Sequence, residues 1–215
     1  MRAKRVTRLL AVVAVVGFGV AGCSSDPKPF VPAPVAASAV FNFAIIGDSA
    51  SAFRDGLAYR EFWSSQFARD AMPQTATMYT LSGRFNTAGN SVRRSVPLLS
   101  TVKPKVVVIW LGFDDLSQQT DAGEYGRDVL QVVQASRDEG AETVLVGTLP
   151  DELPDAERYN QELRRSIGDA ATIVEMTNVP MNFERVDDRD VPTSESLARI
   201  ASTFASAYNA ARVRS

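Results

Sequence analysis

Five short apolar runs, none alternating with polar residues, are what most constrain the fold of this chain. They span residues 40–46, 77–81, 106–111, 143–147 and 171–174, the second being the weakest. A strand buried on both faces reads this way, whereas a half-exposed strand alternates. Helical patterns lie between the runs. Tyr59, Phe62, Trp63 and Phe67 form one stripe within residues 59–71. Tyr125, Val129, Val132 and Val133 form a second, closed by Gly140. Leu197, Ile200, Ala201, Phe204, Ala205 and Tyr208 recur at helical spacing in the last segment. Residues 91–100, which Pro97 kinks or shortens, and residues 155–167 are two more candidates. Strands and helices alternating in this order predict right-handed crossovers and a three-layer α/β/α domain with a mostly parallel five-stranded sheet. In such a sheet ligands sit outside the carboxyl ends of the strands, so the loops there are where chemistry is expected.

The amino-terminal segment has a different plan. Arg2, Lys4, Arg5 and Arg8 precede an apolar run from Leu9 to Val20, and Ala21-Gly22-Cys23 follows. About 12 apolar residues fall short of the ~20 that span a bilayer, so residues 1–22 read as a secretory signal sequence. Val20-Ala21-Gly22-Cys23 resembles the bacterial lipobox, which implies acylation of Cys23, the single cysteine of the chain. The expected product is an exported protein held to the outer face of the cytoplasmic membrane through Cys23. A lone exported thiol is the other reading. Residues 23–38, with Pro27, Pro29, Pro32 and Pro34, read as an extended tether, and residues 39–215 as one domain. Loss of residues 1–22 leaves 19 basic against 25 acidic residues, a net charge of −6, which argues against nucleic acid as a partner.

Four segments stand where the carboxyl ends of strands are expected. Gly47-Asp48-Ser49 follows the first run, and a serine at such a tight turn can expose its hydroxyl, although a simple turn explains the tripeptide as well. Gly89 follows the second run near a helix start, where a backbone N–H can face a ligand; a helix-capping loop is the alternative. Gly112-Phe113-Asp114-Asp115 follows the third run. Asp188-Arg189-Asp190-Val191-Pro192 precedes the last helix.

In this order the four segments resemble the conserved blocks of the SGNH (GDSL-type) hydrolases over residues 40–212. The resemblance implies a flavodoxin-like α/β/α fold, Ser49 at the nucleophile position and Gly89 at an oxyanion-hole position. It also places Asp114 where the family has an oxyanion-binding asparagine, Asp188 at the triad aspartate and Val191 at the catalytic histidine. The family's substrates are acyl or acetyl esters, often on lipids or polysaccharides.

Two of these positions carry residues that cannot do the chemistry. The chain has no histidine. Valine accepts no proton, and an ionised carboxylate accepts hydrogen bonds where an oxyanion needs donors. Among the lysines, Lys103 and Lys105 stand at the far end of the third strand, about 20 Å from the site at ~3.3 Å per residue. The expected function is therefore that of a degenerate, non-catalytic domain binding an envelope lipid, glycan or protein. The alternative is a serine esterase or acyltransferase in which Asp114 or Asp188 serves as an unusual base. Asp48, Asp114 and Asp188, with Asp115, Asp187 and Asp190 nearby, could also attract a hard cation. No metal-loop spacing is present, and neither metal nor cofactor is expected.

Overall fold

The computed structural model describes residues 42–52, 59–71, 78–186 and 189–214. The segments expected to be signal sequence and tether, with Cys23, and Asp187 and Asp188 lie outside these residues. Five parallel strands make one sheet: β1 (Phe43–Gly47), β2 (Met78–Ser82), β3 (Val106–Trp110), β4 (Thr143–Gly147) and β5 (Thr172–Val174), in the order β2-β1-β3-β4-β5. The three central strands are the strongly apolar runs, and every residue of β1 and β3 is buried. The weak second run is an edge strand, half-buried at Met78 and Thr80, which is why its pattern is less apolar.

Helices cover the sheet. α1 (Trp63–Ala71) packs against α7 (Ser194–Arg214), while α2 (Ala88–Arg94), α3 (Val96–Val102), α5 (Ala122–Asp138) and α6 (Ala156–Ile167) pack together. The stripe expected in the last segment is buried along its whole length, from Leu197 to Tyr208. Its Phe204 stacks on Trp63 at 5.0 Å between ring centroids, and Trp63 meets Trp110 edge-on at 5.8 Å, which ties both helices to β3. Truncating so large a buried ring costs about 3–5 kcal/mol. Local sequence sets the helix ends. Asp121 caps α5 by accepting from the Glu124 N–H, and Gly140, at φ 92°, lets the chain leave it.

The elements differ from expectation in four places. The 59–71 segment begins as a 3₁₀ turn at Tyr59–Glu61 before α1. The 91–100 segment is two helices meeting at Ser95, because Pro97 begins a helix well but lacks the N–H needed inside one. The expected loop after β3 is a short helix, α4 (Phe113–Ser117). The segment ahead of α7 is an antiparallel pair, β6 (Phe183–Val186) with β7 (Arg189–Pro192), rather than a loop. Its strands are four residues long and carry charges, so they give no apolar run to read.

The strand order reverses between β1 and β3, and a crevice opens at the carboxyl ends of the strands there. Ser49 leaves β1 and Asp114 leaves β3 at this point. Lys105 precedes β3 at its opposite end and pairs with Glu142 at 2.9 Å, away from both. No described helix is long and apolar enough to cross a membrane.

Candidate functional site

The turn after β1 depends on Gly47 having no side chain. A Cβ there would lie 2.4 Å from Ser51 Cβ and 2.8 Å from Ser82 Oγ. Asp48, fully buried, holds the turn to α4. Its Oδ1 accepts from the Ala50 N–H at 3.0 Å, and its Oδ2 accepts from the Phe113 N–H at 2.7 Å and the Asp114 N–H at 3.4 Å. Gly112, at φ 122°, turns the chain from β3 into α4 in a conformation that L side chains rarely adopt.

Asp114 is the centre of the site. Its Oδ2 accepts from the Ser49 N–H at 3.1 Å and from the Asn86 N–H at 2.8 Å. Both oxygens of Asp115 accept from the Ala88 N–H, at 3.0 and 3.3 Å, and so fasten α4 to the start of α2. The second amide on Asp114 thus belongs to Asn86, a residue the sequence reading passed over. Asn86 is fully buried. Its Nδ2 donates to the Gly47 carbonyl at 2.7 Å and to Ser91 Oγ at 3.0 Å, joining the β1 turn to α2. The preceding Phe85 has a left-handed backbone at φ 57°, a place where glycine would be expected. Lacking that glycine, the loop carried no local signal, and an asparagine ahead of a threonine cap reads as an ordinary turn residue.

Gly89 lies three residues further on, in the first turn of α2. Its missing side chain would point at Asp128 Oδ2, 2.8 Å from an added Cβ, and it does not line the cavities at Ser49. Ser49, Asp114 and Val191 are brought together; Gly89 stands apart from them.

Ser49 sits between two cavities of unlike character. On one side is an open cavity of about 440 Å³ that it shares with Asp114, Phe113, Leu153, Arg158, Tyr159 and Arg185. On the other is a cleft of about 10 Å³, walled by Ala50, Ala52, Phe62, Val191, Pro192 and Leu197. Val191 is 8% exposed and, with Ser49, walls this cleft, to which it presents hydrocarbon. A space this small holds one water at most, and its walls are mainly apolar.

Three buried carboxylates crowd the other side. Burial, then the neighbouring Asp114 charge, push the Asp48 carboxyl well above its ordinary range. Burial raises Asp115 to about 7 against the pull of the Ala88 N–H, with Asp114 adding to the rise. Burial also raises the Tyr125 hydroxyl, which donates to the Leu111 carbonyl at 3.0 Å. Among the described residues no group of three or more His, Cys, Asp or Glu side chains is arranged to hold a metal ion.

Comparison with known proteins agrees with this architecture. The profile of the GDSL-like Lipase/Acylhydrolase family matches residues 45–212. No curated protein matches the chain. Among solved structures, a psychrotrophic esterase, EstA, from Pseudoalteromonas, solved with monoethylphosphonate as inhibitor, superposes with a TM-score of 0.63 at 20% identity, covering 78% of this chain and 96% of its own. A family 3 carbohydrate esterase from Talaromyces cellulolyticus gives 0.62 at 14% identity, over 78% of this chain and 95% of its own. The family 3 carbohydrate esterase of Clostridium thermocellum gives 0.63 at 13% identity, over 81% and 98%. At these identities the likeness speaks for the fold.

Proposed function

The chain belongs to the GDSL-like lipase/acylhydrolase family, and from that premise we propose that this member is a non-catalytic binding module of the cell envelope. The observation that carries the reading is Val191 closing the cleft beside Ser49, in a chain with no histidine. A serine hydroxyl with a pKa far above neutrality needs a neighbouring acceptor to become a nucleophile. Asp114 is a poor substitute. Its Oδ2 is already engaged as acceptor by the Ser49 and Asn86 N–H groups.

The open cavity is large enough for a ligand, with apolar walls at Phe113, Leu116, Leu153 and Tyr159 and guanidinium and carboxylate groups from Arg158, Arg185, Asp114 and Asp155. Such a lining suits an amphiphilic envelope lipid or glycan; a protein partner is the other candidate. Acylation at Cys23, followed by a proline-rich tether, would hold the domain at the outer face of the cytoplasmic membrane within reach of such ligands.

Hydrolysis of p-nitrophenyl acetate by the protein and by its Ser49→Ala variant tests the reading. Equal rates at the buffer background are expected. A rate that disappears with Ser49 would overturn it in favour of a serine esterase or acyltransferase with unusual activation.

A further inference from the structure

We infer that the Ser49 and Asn86 amides form a two-donor oxyanion site whose resident ligand is the chain's own Asp114 carboxylate. Both N–H groups converge on one oxygen, Asp114 Oδ2, at 3.1 and 2.8 Å. Convergence of two fixed amides on a single oxygen is the geometry that stabilises a negative oxygen in acyl transfer and in anion binding. Here that oxygen is tethered to α4, and the site is occupied from within.

The tether is rigid for reasons visible on either side of Asp114. Phe113 and Asp114 donate their N–H groups to Asp48, and Asp115 is held by the Ala88 N–H. The amides are fixed as well. The Ser49 turn is set by Gly47 and Asp48, and the Asn86 backbone by its side chain on the Gly47 carbonyl and on Ser91. Asp114 is 4% exposed, so a free anion would have to displace a carboxylate already desolvated and held by two charge-assisted bonds. Displacement is intramolecular competition at a high effective concentration, which an external ligand of equal chemistry loses.

The ligand class follows from the donors. With the side chain of residue 114 shortened, the two amides would take a small oxyanion of the carboxylate or phosphonate type entering from the open cavity, which Asp114 and Ser49 both line. With Asp114 in place, anions and ester carbonyls are turned away at the Ser49 end, and a ligand must use the walls around Leu153, Tyr159 and Arg158. This inference rests on the hydrogen bonds alone and stands apart from the reading of the domain as a binding module.

The test uses the full lipidated chain in detergent, labelled for amide NMR and titrated with methylphosphonate. In the Asp114→Ala variant the Ser49 and Asn86 amide signals are expected to shift saturably, with at least tenfold tighter binding than in the unaltered protein, whose two signals stay still. Equal responses in the two proteins, or no response at these amides in a folded variant, would overturn the inference. Should Asp114→Ala fail to fold, hydrogen exchange in the unaltered protein decides instead. Exchange of both amides slowed at least tenfold relative to free peptide supports the Asp114 contact, and free-peptide rates at either one sink it. Esterase activity is a separate readout: a Ser49-dependent rate would remove the non-catalytic reading without moving the amide signals.

Discussion

The two faces of Ser49 differ in physical character, one closed by packing and the other dominated by charge. On the closed face, hydrocarbon from Val191, Phe62 and Leu197 walls a cleft of about 10 Å³. On the open face, the Asp114 carboxylate accepts from the Ser49 and Asn86 amides. One face is a matter of packing and the other of electrostatics, and the same scaffold carries both. On the non-catalytic reading proposed above, activation and transition-state binding are separable from the fold that positions them.

Asp48 is the strut beneath both faces, reaching Ala50 on the closed side and Phe113 on the open side. Removing it in Asp48→Ala strands three buried amides, those of Ala50, Phe113 and Asp114, and opens a cavity. Thermal or urea unfolding is expected to show a loss of about 3–5 kcal/mol. A cost below about 1 kcal/mol would mean that the two faces are held independently.

The open face should also set the pH dependence. Asp115 has a raised folded pKa of about 7, against roughly 3.9 in an unfolded chain. Between those values the folded state holds a proton that the unfolded state has lost. Its contribution is thus favourable at low pH and declines as pH rises from about 4 to 7, by at most ~1.4 kcal/mol per pH unit. Asp48, raised in the same direction, extends the trend. Melting curves across this range should show a shallower decline in Asp115→Asn than in the unaltered protein.

Repairing both faces together should do what neither repair does alone. Val191→His supplies a base but leaves the amides occupied, and Asp114→Asn frees an oxyanion donor but leaves Ser49 without a base. The double variant is expected to hydrolyse p-nitrophenyl acetate in a Ser49-dependent manner, on the order of 10²-fold above either single variant. Its melting temperature should fall, because imidazole is larger than the valine it replaces in a full cleft. Additive, background-level rates in a folded double variant would show that the pocket has diverged beyond these two positions.

Asn86→Ala removes the link between the Gly47 carbonyl and α2 and is expected to cost about 1–3 kcal/mol in urea unfolding. Ser49→Ala marks the small end of the series. Among the described residues no side-chain bond of Ser49 braces the turn, and the change in stability should stay within about 0.5 kcal/mol.

Much of the fold was legible because its signals are local. The apolar runs at residues 106–111 and 143–147 contain β3 and β4, and the stripe from Leu197 to Tyr208 is buried in α7. Pro97 announced an interruption but not that two helices would result. The β6–β7 pair and the short α4 escaped notice because four or five residues with charges carry too little periodicity to read.

For the site, sequence alone determined which chemistry is unavailable. Residue types suffice for that: a chain without histidine has no imidazole, and a carboxylate at position 114 donates no hydrogen bond when ionised. Only the tertiary structure decided where the remaining groups meet. Ser49 and Asn86 lie 65 and 28 residues from Asp114, and Asn86 rather than Gly89 supplies the second amide. The direction of a backbone N–H is set by turns and strand packing around it, such as the left-handed step at Phe85 and the close approach at Gly47, and neither is written in the residue that donates.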